Sequence, residues 1–202
     1  MIASSPLRQI TPSSMVLRDI VERHAQQAAF LWTMRDAAVR SPNYDLEALK
    51  RVDDRLDANL DGLLIAGEVG WEIARDALAG DNAGALFVVT VSAFERDDVK
   101  AFAQLLWRGV NSPERAREIV SALGWVPFGK VKRYVDELLG ADAPTELHYF
   151  GIAGAAVHRY DPGDALEQAA YGQNPRVRAR ALRAIGELGR VKLLSALRGA
   201  YS

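Results

Sequence analysis

The chain has 202 residues, no cysteine and a net charge of −1, with 25 Lys and Arg against 26 Asp and Glu. Its hydrophobic fraction of 49% is enough for a continuous core, while aromatics make up only 8%. Disulfide and thiol chemistry are excluded. No signal-peptide core or membrane-spanning run occurs, so a cytoplasmic chain without membrane contact is expected.

Residues 1–15 carry Ser, Pro and Thr and no long apolar run, and read as a flexible arm. Residues 16–80 read as an N-terminal helical cap. Its first helix runs from Val16 to Val39, with Val21, Ala25, Ala28, Ala29, Trp32 and Ala37 at apolar positions. Ser41-Pro42-Asn43 breaks it. Asp45 caps a second helix in which Leu46, Leu49, Val52, Leu56, Leu60 and Leu63 step by three or four. The stretch from Gly67 to Gly70 reads as a turn into a third helix that ends near Leu78 and Gly80.

A period begins at Asn82. Pro113, Pro144 and Pro175 stand 31 residues apart, and one step back lands on Asn82. Each position opens a block with a helix start, a small apolar run, a turn and a second amphipathic run. A period of about 30 residues marks stacked helical pairs, in which neighbours bury the face that one block cannot. The expected fold is all-α. It is a right-handed α-solenoid of HEAT-like pairs, with residues 81–202 forming four repeats (82–112, 113–143, 144–174 and 175–202).

In the first block Asp81 is the expected cap, with Phe87, Val88 and Val91 and then Val99, Phe102 and Leu106 inward. Ser112-Pro113 opens the second, with Ala116, Ile119, Val120 and Leu123 before Gly124, then Val131, Tyr134, Val135 and Leu138. Ala143-Pro144 opens a helix reaching Val157, and Asp161-Pro162 opens its partner. Gly151 and Gly154 inside that helix each cost about 1 kcal/mol relative to Ala, which close approach of a neighbour would offset. In the last block Asn174 caps, Pro175 takes the first helical position, and Ala181, Leu182 and Ile185 face in. Gly189 stops that helix, and Val191, Leu194 and Leu197 are expected inward on the next. Turns are expected near 41–44, 67–70, 95–97, 109–113, 124–128, 140–144, 158–162 and 172–175.

The pattern Asn-Pro-x-Val-Arg…Ala-Leu…Ile-Gly-x-Leu-Gly at 174–189 resembles the short HEAT-like repeat first associated with phycobilin lyases. Earlier blocks resemble it by register and apolar pattern. The segments 24–39 and 56–71 resemble the opening of a bacterial family of HEAT-repeat proteins of unassigned activity. That family often lies in type VI secretion gene neighbourhoods, beside spike proteins, adaptors and toxin–immunity pairs. Its members are usually longer. The resemblance implies a setting and carries over no catalytic residue.

Charge is unevenly spread. Residues 41–80 carry nine acids against four bases, and 175–202 carry seven bases against Glu187. The first segment is thus −5 and the second +6, a polarity that suits head-to-tail association. Asp53, Asp57 and Asp61 share one helix face, read either as solvated or as an acidic docking strip. Arg176, Arg180 and Arg183 fall within about 80° of one another around their helix. They read as structural arginines or as a patch for an acidic partner, while Arg178 points away and stitches one repeat to the next. Exposed positions expected on the second helices are Arg108, Lys130, Arg133, Glu137, Asp164 and Gln168.

His24, His148 and His158 have no metal-ligand spacing. No phosphate loop or nucleophile elbow occurs, and the four tryptophans read as core or turn packing. The expected function is a non-catalytic protein–protein interaction scaffold: an adaptor, chaperone or immunity factor of type VI secretion. It needs no cofactor or metal. Its partner would be another protein, such as a secretion effector or spike component, or a second copy of itself. The alternative is a nucleic-acid-binding repeat protein using the last block's arginines. The slight acidity, and bases confined to one repeat, weigh against that alternative.

Overall fold

The computed structural model describes residues 17–80 and 82–199, all helix, turn or irregular segment without a strand. The expected arm at 1–15 and the expected cap at Asp81 lie outside the described residues. Among them, no helix is long and apolar enough to cross a membrane. The chain divides into two compact units, one up to Asp81 and one from Asn82.

The first unit holds α1 (Arg18–Ala38), α2 (Leu46–Ile65) and α3 (Glu68–Asp76). α1 packs along α2, and α3 packs on both. Asp45 caps α2 by accepting from Ala48 N. Ala28, Leu31, Trp32, Leu56, Leu63 and Trp71 are buried. Three expectations shift. Leu46 lies at the open end of its helix and is 84% exposed. The turn at 67–70 reduces to Gly67, because Gly70 already belongs to α3. A Cβ on Gly70 would stand 2.0 Å from the Leu63 carbonyl oxygen, so hydrogen is required there. Ala37 is exposed and Ala38 is buried in its place.

The second unit holds α4 (Ala85–Glu95), α5 (Val99–Val110), α6 (Pro113–Trp125), α7 (Phe128–Leu139), α8 (His148–Val157), α9 (Asp164–Tyr171), α10 (Pro175–Glu187) and α11 (Leu194–Gly199). The starts of α6 and α10 follow the sequence signals, and Asp98, which is not among the expected caps, caps α5 in the same way. Asp98 accepts from Ala101 N, Ser112 from Arg115 N, and Asn174 from both Arg176 N and Val177 N.

The period reappears in the backbone. After α4, α8 and α10 the chain turns through a left-handed residue: Asp97 at φ 57°, Arg159 at φ 56° and Gly189 at φ 65°. In each case the next amide reaches back to close the helix: Asp98 N to Ala93 O, Tyr160 N to Ala155 O, and Arg190 N to Ile185 O. The α6 end breaks this rule. Gly124 lies inside its last turn, and the helix stops one residue later because Pro127 disfavours helical geometry at Val126.

α4, α6, α8 and α10 pack side by side in chain order. Each second helix makes a close approach to the first helix of the following block: α5 to α6, α7 to α8 and α9 to α10. The tight antiparallel pairs therefore straddle the sequence blocks. Gly151 and Gly154 explain the α7–α8 pair. A Cβ at Gly151 would stand 3.0 Å from the Leu138 backbone, and one at Gly154 would stand 2.9 Å from Val135 Cγ2.

The buried stripes include Phe87, Val88, Val91, Phe102, Leu106, Ala116, Ile119, Leu123, Val131, Tyr134, Val135, Leu138, Ala181 and Ile185. Four starts differ from expectation. After Pro144 a 3-10 turn over Thr145–Leu147 precedes α8. Val99, the first residue of α5, is 43% exposed. Asp161 accepts from Gly163 N and shapes a turn, so α9 begins only at Asp164. In the last block a 3-10 turn over Val191–Leu193 precedes α11. Its tighter winding rotates the apolar face. Val191 and Leu194 point out, while Leu193 and Ala196 are buried.

Candidate functional site

Side chains tie the block turns of the second unit into one edge. Lys130 donates to Glu95, and Arg133 donates to Asp97. Tyr134 also donates to Asp97, at 2.8 Å. Burial pushes the Tyr134 hydroxyl above its ordinary pKa, with Asp97 acting the same way and Arg133 opposing. His158 Nε2 lies 2.7 Å from the Leu123 carbonyl, and Phe128 packs on His158 and Tyr160. Arg159 donates to the Glu187 carbonyl, and Arg190 to Asp161. Lys130 and Arg133 are exposed as expected, but they act as struts between blocks.

The basic patch also separates on inspection. Arg176 donates to the Gly109 carbonyl at 2.8 Å and lies 4.5 Å from the Tyr149 ring centre. It bridges α10 to the end of α5. Arg178 donates to Gly172 O at 3.4 Å and so links its block to the preceding one, as expected, while Arg176 spans two blocks. The Arg180 side chain is 10% exposed and donates to Glu187 at 2.8 Å. Arg183 is 78% exposed and holds the other Glu187 oxygen, also at 2.8 Å. Burial acts to raise the Glu187 pKa, but hydrogen bonds and charge from Arg180 and Arg183 outweigh it and hold the carboxyl low. Of the three arginines, only Arg183 is an open surface group.

In the first unit Asp53 forms a two-point bond with Arg35 at 2.6 and 3.4 Å, tying α1 to α2. Asp57 and Asp61 are exposed on the same helix. The Arg35 pairing of Asp53 makes the strip less acidic than its sequence, and Lys50 holds the neighbouring Asp54 at 2.6 Å. The histidines have separate structural partners: Asn59 for His24, Gly140 O for His148 and Leu123 O for His158.

Three features were missed in the sequence. Glu118 is 3% exposed and accepts from Leu86 N and Phe87 N, capping α4 from α6. Trp107 is 51% exposed on α5, against the expected packing role. Its position 100° beyond Leu106 on the helical wheel carries that signal. The third is a cleft of about 530 Å³ between the α7–α8 connection and α9–α10. Its floor includes Leu139, Ile152 and Val177, and its rim includes His148, Gln168 and Gln173. The two glutamine amides have no partner among the described residues. Glu137 and Asp164 are exposed but do not line it.

Comparison with protein-family models, curated proteins and solved structures gives no match.

Proposed function

We propose that this protein is a non-catalytic scaffold that grips a segment of a partner protein in the cleft between α7–α8 and α9–α10. The carrying observation is the chemistry of the lining. An apolar floor accepts side chains, and each free glutamine amide offers both a donor and an acceptor, as a peptide group does. His148 is the one titratable side chain among the lining residues, and it faces the Gly140 carbonyl at 3.3 Å. The lining therefore offers a binding surface in preference to an acid–base pair.

On this reading residues 82–202 are a right-handed α-solenoid working in the cytoplasm. The family resemblance supplies the setting: an adaptor, chaperone or immunity factor that holds a type VI secretion effector or spike component. Internal engagement of Arg176 and Arg180 disfavours the nucleic-acid alternative.

Affinity capture from the native host, read by mass spectrometry, tests the proposal. Ala165→Trp places an indole in the cleft from a half-buried lining position. The principal partner should be lost with Ala165→Trp and kept with Arg183→Glu. Retention of every captured protein by a folded Ala165→Trp variant would overturn the cleft assignment.

A further inference from the structure

The outward face of α5 differs in charge bookkeeping from the other exposed helices. Elsewhere, cations commonly sit one turn from a carboxylate: Arg18 with Glu22, Arg40 with Asp36, Lys50 with Asp54, and Arg183 with Glu187. α5 contains no Asp or Glu. Its Lys100 and Arg108 are exposed and have no partner among the described residues. Gln104 and Trp107 lie on the same face, and Trp107 is 51% exposed. At its last turn the Arg176 guanidinium is held on the Gly109 carbonyl.

We infer that this face is a docking surface for an acidic peptide segment of a partner protein. Tryptophan and arginine are among the side chains enriched where binding energy concentrates at protein interfaces. Trp107 gives the partner an apolar anchor, and Arg108 gives a fork for a carboxylate beside it. Lys100 stands about 12 Å along the helix from Arg108, at 1.5 Å per residue. An extended segment covers that distance in about four residues. The matching partner therefore has two carboxylates about four residues apart, with an apolar side chain next to the one at Arg108.

Charge on the second helices of the following blocks, α7 and α9, favours a peptide over a nucleic acid. A phosphate backbone needs cations that continue from block to block. On α7, Lys130, Lys132 and Arg133 are bound to Glu95, Asp136 and Asp97. α9 carries Asp164 and Glu167 and no base. Free positive charge therefore does not continue onto α7 or α9. This surface is independent of the cleft and survives if the cleft reading fails.

The test selects peptides from a phage-displayed random library against the full chain, then titrates the enriched sequences as fluorescein-labelled peptides. Enrichment in Asp and Glu with an aromatic or aliphatic residue is expected. Affinity should fall at least tenfold for Trp107→Ala and for the double variant Lys100→Glu/Arg108→Glu. It should also fall as salt rises, and stay unchanged in Ala165→Trp. The α5 variants should melt close to the parent, since the altered side chains are exposed. The inference is overturned if no acidic peptide is enriched, or if binding survives the α5 variants. Tighter binding of a labelled single-stranded oligonucleotide that displaces the peptide would also overturn it.

Discussion

Glu118 on α6 accepts the amide hydrogen of Leu86 at 3.0 Å and so caps α4 from a neighbouring block. It also accepts from Phe87 N at 3.3 Å, while Arg115 approaches its other oxygen at 3.4 Å. A carboxylate at this buried point does what a local Ser or Asp does elsewhere, and its loss leaves two amides without an acceptor. Glu118→Ala is expected to destabilise the protein by about 2–3 kcal/mol, and Glu118→Gln by less, because it keeps an acceptor. Urea unfolding of the two variants checks the order.

Burial raises the Glu118 pKa, against the opposing effects of Arg115 and the amides. Between the ordinary carboxylate value and this raised value, the folded state holds a proton that the unfolded state has released. Stability contributed by this group therefore falls as pH rises through that window. Glu187 has the opposite sign: its lowered pKa makes its stabilisation present at neutral pH and lost as pH falls through the folded value. Unfolding measured from pH 3 to pH 8 should lose the first slope in Glu118→Gln and the second in Glu187→Gln.

Removing Glu187 should also reveal the unequal roles of its two arginines. Arg180, with a side chain 10% exposed, would keep a largely buried charge without its carboxylate. We expect Glu187→Gln to cost about 2 kcal/mol, discounted from the fully buried case because Glu187 is itself partly screened by water. Arg183→Ala should cost under about 0.5 kcal/mol, since that side chain is 78% exposed. Thermal melts that rank the two variants the other way would refute this division.

Glycine substitutions have signs set by their surroundings. Gly186 in α10 has nothing within 4 Å of an added Cβ, so Gly186→Ala should stabilise by about 0.5–1 kcal/mol through helix propensity. Gly151→Ala gains the same propensity but presses on the Leu138 backbone at 3.0 Å, and should be net destabilising by about 1–2 kcal/mol. Gly70→Ala meets the Leu63 carbonyl at 2.0 Å and should be the worst of the three. Equilibrium unfolding of this series tests the close helix approaches directly.

Arg176→Ala removes a hydrogen bond and a stacked cation, and should cost about 1–2 kcal/mol. Arg178→Ala should stay within about 0.5 kcal/mol of the parent. A reversal in differential scanning calorimetry would show that the exposed Arg178–Gly172 bond outweighs the Arg176 bridge.

Local signals in this chain were legible because local physics decides them. Asn174, Ser112 and Asp45 cap helices whichever neighbours surround them, and the apolar spacing of Ile119 or Ile185 fixes an inward face. Pro113 and Pro175 likewise take the first positions of α6 and α10. The same local logic failed at Val191, where one 3-10 turn rotated the face, and at Gly70, whose role depends on a carbonyl seven residues away in a different helix.

What the sequence by itself determined was the all-α class, most helix starts and the core stripes, since each depends on residues within one or two turns. Tertiary structure alone decided that close helix pairs straddle the blocks and that Glu118 caps α4. It also decided that Arg176 turns inward to the Gly109 carbonyl. Those outcomes depend on which carbonyl, ring or carboxylate another block presents, at separations of up to 67 residues between Arg176 and Gly109. A helical wheel gives the direction of a side chain, but its partner is set only when the helices pack.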